Sequence, residues 1–159
     1  MTLNDEFVLG ILHRLNLFSN LDSPALIELG NLFKERIYNL NEVIFQEGSV
    51  GETMMVIASG EVRVSQIPGP DKEETLVVLK KGDLFGEMAM LDDLPRSATI
   101  IAHTNVICLE IKRDDFLAFV RHNCCDSVEV LLKLTRTLSA RLRETDAKLK
   151  AFISFSQWV

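Results

Sequence analysis

FGEMAMLDDLPRSATI, residues Phe85 to Ile100, is the stretch on which the reading of this chain turns. Gly86 permits a tight backbone turn, and Glu87 to Leu91 can form a short helix whose first N–H groups have no partner inside it. Those donors, together with the helix dipole, favour an anion. Pro95 fixes the chain just before Arg96, whose planar guanidinium can grip phosphate oxygens in a bidentate manner that lysine cannot reproduce. Glu87 accepts only when ionised and therefore suits a hydroxyl donor such as a sugar 2′-OH. A phosphate and a ribose hydroxyl held side by side imply a nucleotide.

The flanking sequence sets this cassette among strands. From Arg36 to Ile111, short Val- and Ile-rich segments alternate with turns marked by Gly48, Gly51, Gly60, Gly69 and Gly82, the pattern of an antiparallel barrel or a double-sheet jelly roll. The loop IPGPDKEE, from Ile67 to Glu74, reads as an exposed hairpin joining two of the strands. Helices lie on either side. Leu3, Phe7, Ile11, Leu15 and Phe18 fall about one turn apart and predict an amphipathic helix over residues 3 to 18. Asp22 or Ser23 can cap a second helix, with Pro24 in its first turn and Leu26, Leu29 and Phe33 on one face. Helical character returns beyond Asp114 through Phe116, Phe119 and Val120. A final helix is expected to begin near Asp126 or Ser127.

That last helix carries its own pattern. Val128, Leu131, Thr135, Leu138, Leu142, Thr145, Leu149 and Phe152 are spaced alternately three and four, an a/d seam that favours a coiled-coil homodimer. In a parallel pair, Arg141 at a g position can meet Asp146 at the following e position of the partner helix. Packing of the same stripe on the chain's own barrel is the alternative, and Leu132 and Leu134 widen the apolar face enough for both.

The cassette and the glycine-punctuated run GSVGETMMVIASGEVRV, from Gly48 to Val64, resemble the cyclic-nucleotide-binding domains of catabolite activator proteins, cyclic-nucleotide-dependent kinases and gated channels. The resemblance covers roughly residues 15 to 150. It implies a mainly β fold, a double-stranded β-helix jelly-roll barrel with N-terminal helices, a short phosphate-cassette helix and a long C-terminal helix. It also implies that Phe85, Gly86, Glu87, Met88, Ala89, Arg96, Ser97 and Ala98 hold the ligand, with Thr99 closing the motif. Met88, Met90 and Leu91 are expected to anchor the cassette on the barrel. The run ARLRETDAKL, from Ala140 to Leu149, is similar to the dimer helix of the activators and puts Thr145 beside the base, with Asp146 where those proteins carry a hydroxyl. Ser97 follows the arginine as in the bacterial activators, which implies cyclic AMP first and cyclic GMP as a second ligand. Met55 replaces an aromatic common in the family's third strand, and the acidic pair Asp92 and Asp93 stands close to the phosphate motif.

Composition narrows the classes further. A chain of 159 residues fits one domain, read here as a binding barrel with its helices over residues 1–125 and an output helix over 126–159. The net charge of −6 argues against a nucleic-acid surface, and no apolar run is long enough to span a membrane. Asp5 and Glu6 precede the FVLGIL segment where a secretory signal would carry positive charge, so the cytoplasm is the expected compartment. Three cysteines without metal-ligand spacing, Cys108, Cys124 and Cys125, read as reduced thiols. His13, His103 and His122 are scattered and form no ligand motif, so neither a metal cofactor nor a hydrolase nor a cupin-type metalloenzyme is expected. No further effector domain fits before Val159, which leaves a freestanding sensor acting on a downstream partner protein or a regulatory piece of a longer chain. The competing expectation is a nucleotide-independent dimerisation scaffold with a vestigial pocket.

Overall fold

The computed structural model describes residues 3–69 and 72–156. Two helices come first, α1 (Leu3–Arg14) and α2 (Ser23–Leu32), joined through a 3-10 turn at Asn16–Phe18. The single helix expected over 3–18 thus stops at Arg14, where i→i−3 bonds from Leu15 and Phe18 tighten the chain and turn Leu17 and Phe18 inward. Its buried face is Val8 and Leu12, with Leu15 buried just past its end, while Phe7 is exposed and Ile11 half-buried. Both stripes have helical spacing. Contact with α2 decides between them: a Cβ at Gly30 would sit 2.8 Å from Leu9 Cδ2, so α1 crosses α2 where the glycine leaves room. Asp22, not Ser23, caps α2 by accepting the Ala25 N–H at 2.9 Å.

Eight strands follow: β1 (Lys34–Tyr38), β2 (Val43–Phe45), β3 (Thr53–Ser59), β4 (Glu61–Gly69), β5 (Lys72–Lys80), β6 (Leu84–Phe85), β7 (Thr99–Ala102) and β8 (Val106–Lys112). They form two four-stranded antiparallel sheets, ordered β1-β8-β3-β6 and β2-β7-β4-β5, the alternation of a jelly roll. β4 and β5 run into the 67–74 segment, which joins the two strands as the expected hairpin, with Gly69 opposite Lys72. Pro70 and Asp71 lie outside the described residues.

β3 shows how the sequence builds two cores at once. Because side chains alternate along a strand, Met54, Val56 and Ala58 face the helices, where Leu12, Phe18, Leu29, Phe116 and Phe119 meet them. Met55 and Ile57 face the opposite sheet and pack with Val62, Phe85, Ile100 and Cys108. Met55 fits there without strain in the register, paired with Phe85 on β6. Burial pushes the Cys108 thiol up to about 12, so it remains protonated and unreactive.

Three more helices complete the fold: α3 (Glu87–Asp92), between β6 and β7, then α4 (Arg113–His122) and α5 (Cys124–Ser156). α5 begins at Cys124, ahead of the expected Asp126 or Ser127, because the Asn123 carbonyl already accepts the Ser127 N–H at 2.9 Å. Val130 and Leu134 anchor its first turns in the helix-side core. Leu142 and Leu149, farther along, are exposed.

Candidate functional site

α3 is entered through Gly86 in the left-handed region, φ +81°, where only glycine sits without strain. A Cβ there would also lie 2.6 Å from Arg96 Nη1, 2.8 Å from Phe45 Cε2 and 3.0 Å from the Thr53 carbonyl. Gly51 serves the same close packing, since a Cβ on it would overlap the Ala89 methyl. Both glycines are needed because Arg96 passes beneath the cassette. Its backbone pairs with the Gly48–Ser49 turn, donating to Ser49 O and accepting from Gly48 N–H, each at 2.8 Å.

Arg96 is 6% exposed, and its guanidinium is held on several sides. Nη1 donates to Gly86 O at 2.9 Å, Nη2 donates to Thr53 O at 2.7 Å and to Thr53 Oγ1 at 3.1 Å, and the group stacks 3.6 Å from the Phe45 ring centroid. Phe45 in turn meets Phe85 edge-on at 5.4 Å. None of these partners is a carboxylate. Nε is buried and has no hydrogen-bond partner among the described residues. Burial lowers the Arg96 pKa, with Glu87 and Glu110 opposing that shift.

Glu87, only 2% exposed, opens α3. It accepts from Arg141 Nη1 at 2.5 Å, and Arg141 Nη2 donates to Leu84 O at 2.6 Å, so one side chain of α5 is clamped to the cassette. A carboxylate has about four lone-pair sites, so Glu87 retains acceptor capacity for a hydroxyl. The sequence reading set Arg141 toward a partner helix and left it out of the site. Within this chain it reaches inward instead. The available signal was its position four residues before Thr145, which puts both on one face of the helix.

A cavity of about 730 Å³ opens between the cassette, the β4–β5 face and α5. Phe85, Gly86, Glu87, Met88, Ala89, Arg96, Ser97, Ala98 and Thr145 all line it. Sequence reasoning missed Phe45, the apolar strand wall of Val64, Leu76, Val77, Leu79 and Ile100, and the α5 residues Arg141, Glu144, Lys148 and Leu149. Of the three cassette side chains expected to anchor it, only Met90 is buried; Met88 and Leu91 are exposed because the helix has only one core-facing stripe. Ser97 is exposed and its hydroxyl donates to Met88 Sδ at 3.8 Å, whereas Thr99 is buried and accepts the Glu47 N–H at 3.2 Å. The Thr145 hydroxyl donates to Arg141 O at 2.9 Å. Asp92 accepts the Leu94 N–H and Asp93 pairs with Arg113, so both acids turn away from Arg96, and Asp146 lies outside the cavity. A smaller cavity of about 380 Å³ lies behind Arg141, between Asp83, Lys133 and Arg136, and contains no residue of the cassette helix.

The two antiparallel sheets and the cavity beside α3 define a class, a jelly-roll domain with a cavity of ligand size. Comparison with known proteins makes the class particular. The model of the cyclic nucleotide-binding domain family matches residues 35–123, and the chain belongs to that family. It is 35% identical over 136 residues to the cyclic AMP receptor protein of Thermus thermophilus, covering 85% of this chain and 61% of that protein. It is 33% identical over 156 residues to human cGMP-dependent protein kinase 2, covering 97% of this chain and 20% of the kinase. The solved cyclic nucleotide-binding domain from Methylobacillus flagellatus superposes with a TM-score of 0.75 at 27% identity, covering 88% of this chain and 79% of that one. The chain thus spans less than two thirds of the curated relatives named here. No helix among the described residues is long and apolar enough to cross a membrane.

Proposed function

We propose that this chain is a sensor for a cyclic purine nucleotide, cyclic AMP first and cyclic GMP second, and that it regulates a partner protein without turning the ligand over. One observation carries the reading. A buried guanidinium with no carboxylate partner among the described residues and a buried carboxylate, Arg96 and Glu87, converge on one cavity whose other wall is the terminal helix. Arg96 and the first N–H groups of α3 neutralise the cyclic phosphate, and Glu87 accepts from the ribose 2′-OH. Phe85, Gly86 and Ala89 shape the floor under the phosphate. Met88, Ser97 and Ala98 border the ligand at the rim, and Thr145 offers its free lone pairs to the base.

Residues 126–159 act as the output of the same domain. Ligand binding favours whichever placement of α5 it contacts better, and the Arg141–Glu87 clamp is the contact that senses it. The exposed seam residues Val128, Leu142 and Leu149 support a homodimer through α5. Free thiols at Cys108 and Cys124 suit the cytoplasm. The test is isothermal titration with cyclic AMP and cyclic GMP. Micromolar or tighter binding that weakens about 10- to 100-fold in Arg96→Ala and in Glu87→Ala supports the assignment, in keeping with about 1.5–3 kcal/mol for a charge-assisted hydrogen bond. Affinity within twofold of wild type in Arg96→Ala rejects it.

A further inference from the structure

The smaller cavity, about 380 Å³, is also of ligand size, and three separate parts of the chain wall it. They are the 3-10 turn at Asn16–Phe18, the run Gly82, Asp83 and Leu84 at the entry to β6, and the middle of α5. Lys133, Arg136, Thr137, Ala140 and Arg141 recur at three and four residues, so a single helix face supplies the third wall. Val56 and Leu84, both buried, give the lining an apolar part. Among the described residues, Arg141 is the one lining residue that this cavity shares with the larger one.

Its charge is unbalanced. Lys133 Nζ donates to Ser19 Oγ and to Asn20 Oδ1, each at 2.8 Å, and both partners are neutral. Arg136 is exposed and forms no hydrogen bond or ion pair among the described residues. Arg141 commits Nη1 to Glu87 and Nη2 to the Leu84 carbonyl. The carboxylate in the lining is Asp83, whose Oδ2 accepts the Lys80 N–H at 2.8 Å. Lys133 and Arg136 stand about 4.5 Å apart along the helix axis, at about 1.5 Å per residue. Two such cations repel, and a multiply charged anion between them turns that repulsion into attraction.

The groups present favour a phosphate monoester over a single carboxylate. A monoester carries about −1.5 to −2 charge at neutral pH and three acceptor oxygens, enough to engage an ammonium point charge and a planar guanidinium together. Asp83 and the Asn16 amide, on the other walls, can meet hydroxyl groups, the carboxylate as acceptor and the amide as donor or acceptor. We infer that this cavity is a second ligand site, for a sugar phosphate, with the phosphoryl group on Lys133 and Arg136 and the sugar hydroxyls toward Asp83 and Asn16. The site goes beyond the cyclic-nucleotide reading of the larger cavity and stands without it.

The experiment is isothermal titration of wild type, Lys133→Met, Arg136→Met and Arg96→Ala with ribose 5-phosphate, inorganic phosphate and ribose at matched ionic strength. Ribose 5-phosphate is expected to bind wild type saturably and more tightly than inorganic phosphate, with no heat from ribose. Lys133→Met and Arg136→Met are each expected to weaken it about fivefold or more, while Arg96→Ala stays within about twofold of wild type. Absence of saturable binding to wild type, or affinity within about twofold of wild type in both α5 variants, overturns the site. A loss confined to Arg96→Ala puts the phosphate in the larger cavity and also overturns it, leaving the nucleotide reading standing. Amide hydrogen exchange on wild type gives a readout that needs no variant to fold. Slowing by ribose 5-phosphate at residues 15–17 and 82–84 supports the site, and slowing at 85–98 in their place overturns it.

Discussion

The cassette and the terminal helix meet at one cavity, but they are held by opposite means. Arg96 and Glu87 are buried, and Arg96 is held largely by backbone, through the Gly48–Ser49 turn and the Gly86 and Thr53 carbonyls, while Met90 seats the cassette helix in the core. Among the described residues, α5 enters the core near its start, at Val130 and Leu134, and past that point the Arg141 clamp ties it to the cassette. Burying a Leu or Val side chain contributes about 1.5–3 kcal/mol and the barrel buries many of them, whereas on distal α5 Leu142 and Leu149 are exposed and the tie is the ion pair from Arg141 to the buried Glu87. The cassette is the more firmly held of the two, and the distal half of α5 the less firmly held.

The contrast breaks most sharply in stability. Leu109→Ala, at the centre of β8 and fully buried, is expected to lose about 2–5 kcal/mol, whereas Leu142→Ala on α5 stays within about 0.5 kcal/mol of wild type; urea midpoints at constant m-value measure both. Comparable losses at the two leucines would show that distal α5 is as firmly packed as the barrel. Gly86→Ala comes next, because it forces a positive φ and crowds Arg96, Phe45 and Thr53 together. We expect about 1–3 kcal/mol of destabilisation and weakened nucleotide binding, read by thermal shift with and without ligand.

Arg141→Ala sharpens the comparison from the other side. It leaves a buried carboxylate at Glu87 without its partner, a loss of about 1–3 kcal/mol. Its distinctive signature is faster amide hydrogen exchange in the distal part of α5 with little change in β3 and β8. Uniform acceleration throughout the chain would mean that the clamp is part of the global fold instead of a local tie.

The smallest expected effect belongs to the rim of the barrel. Hydrogen bonds from Arg63 and then Ser65 hold the Glu73 carboxyl down to about 2 from 4.5. A folded-state value below the unfolded one gives stability that is fully present above about 4.5 and is lost as pH falls through about 2. The pair is partly exposed, so about 0–1 kcal/mol is at stake. Wild type should exceed Glu73→Gln in stability at pH 7 and converge on it near pH 2. A gap that persists unchanged at the acid end would trace the difference to packing.

Much of this architecture was legible before folding was considered. Gly86, Glu87 and Arg96 are separated by a fixed short turn, helix and proline, so local chemistry alone brings them near one another. Short Val- and Ile-rich segments between glycine turns announced the strands, and Asp22 or Ser23 with Pro24 announced a helix start. Errors fell where two local patterns were equally good. Phe7–Ile11 and Val8–Leu12 are both helical stripes, and only the crossing with α2 at Gly30 chooses between them. Likewise the α5 seam and its cavity face overlap in one helix, and no spacing rule says that Arg141 turns toward Glu87.

What residue order settles here is therefore whatever depends on neighbours within about one turn or one hairpin: the glycine-entered cassette, the strands, the caps and the identities of the anion-directed groups. What the folded chain alone decides is which distant surfaces close on that cassette. Phe45 under Arg96, the apolar wall of β4 and β5, and the Arg141 clamp come from distant segments, the clamp from 57 residues away at its bond to Leu84. Their placement follows from sheet order and from the path of α5 across the barrel, which are set by burial of the two cores on either side of β3. Hydrophobic burial is non-directional and acts on the whole chain at once, so its result cannot be read from any local pattern.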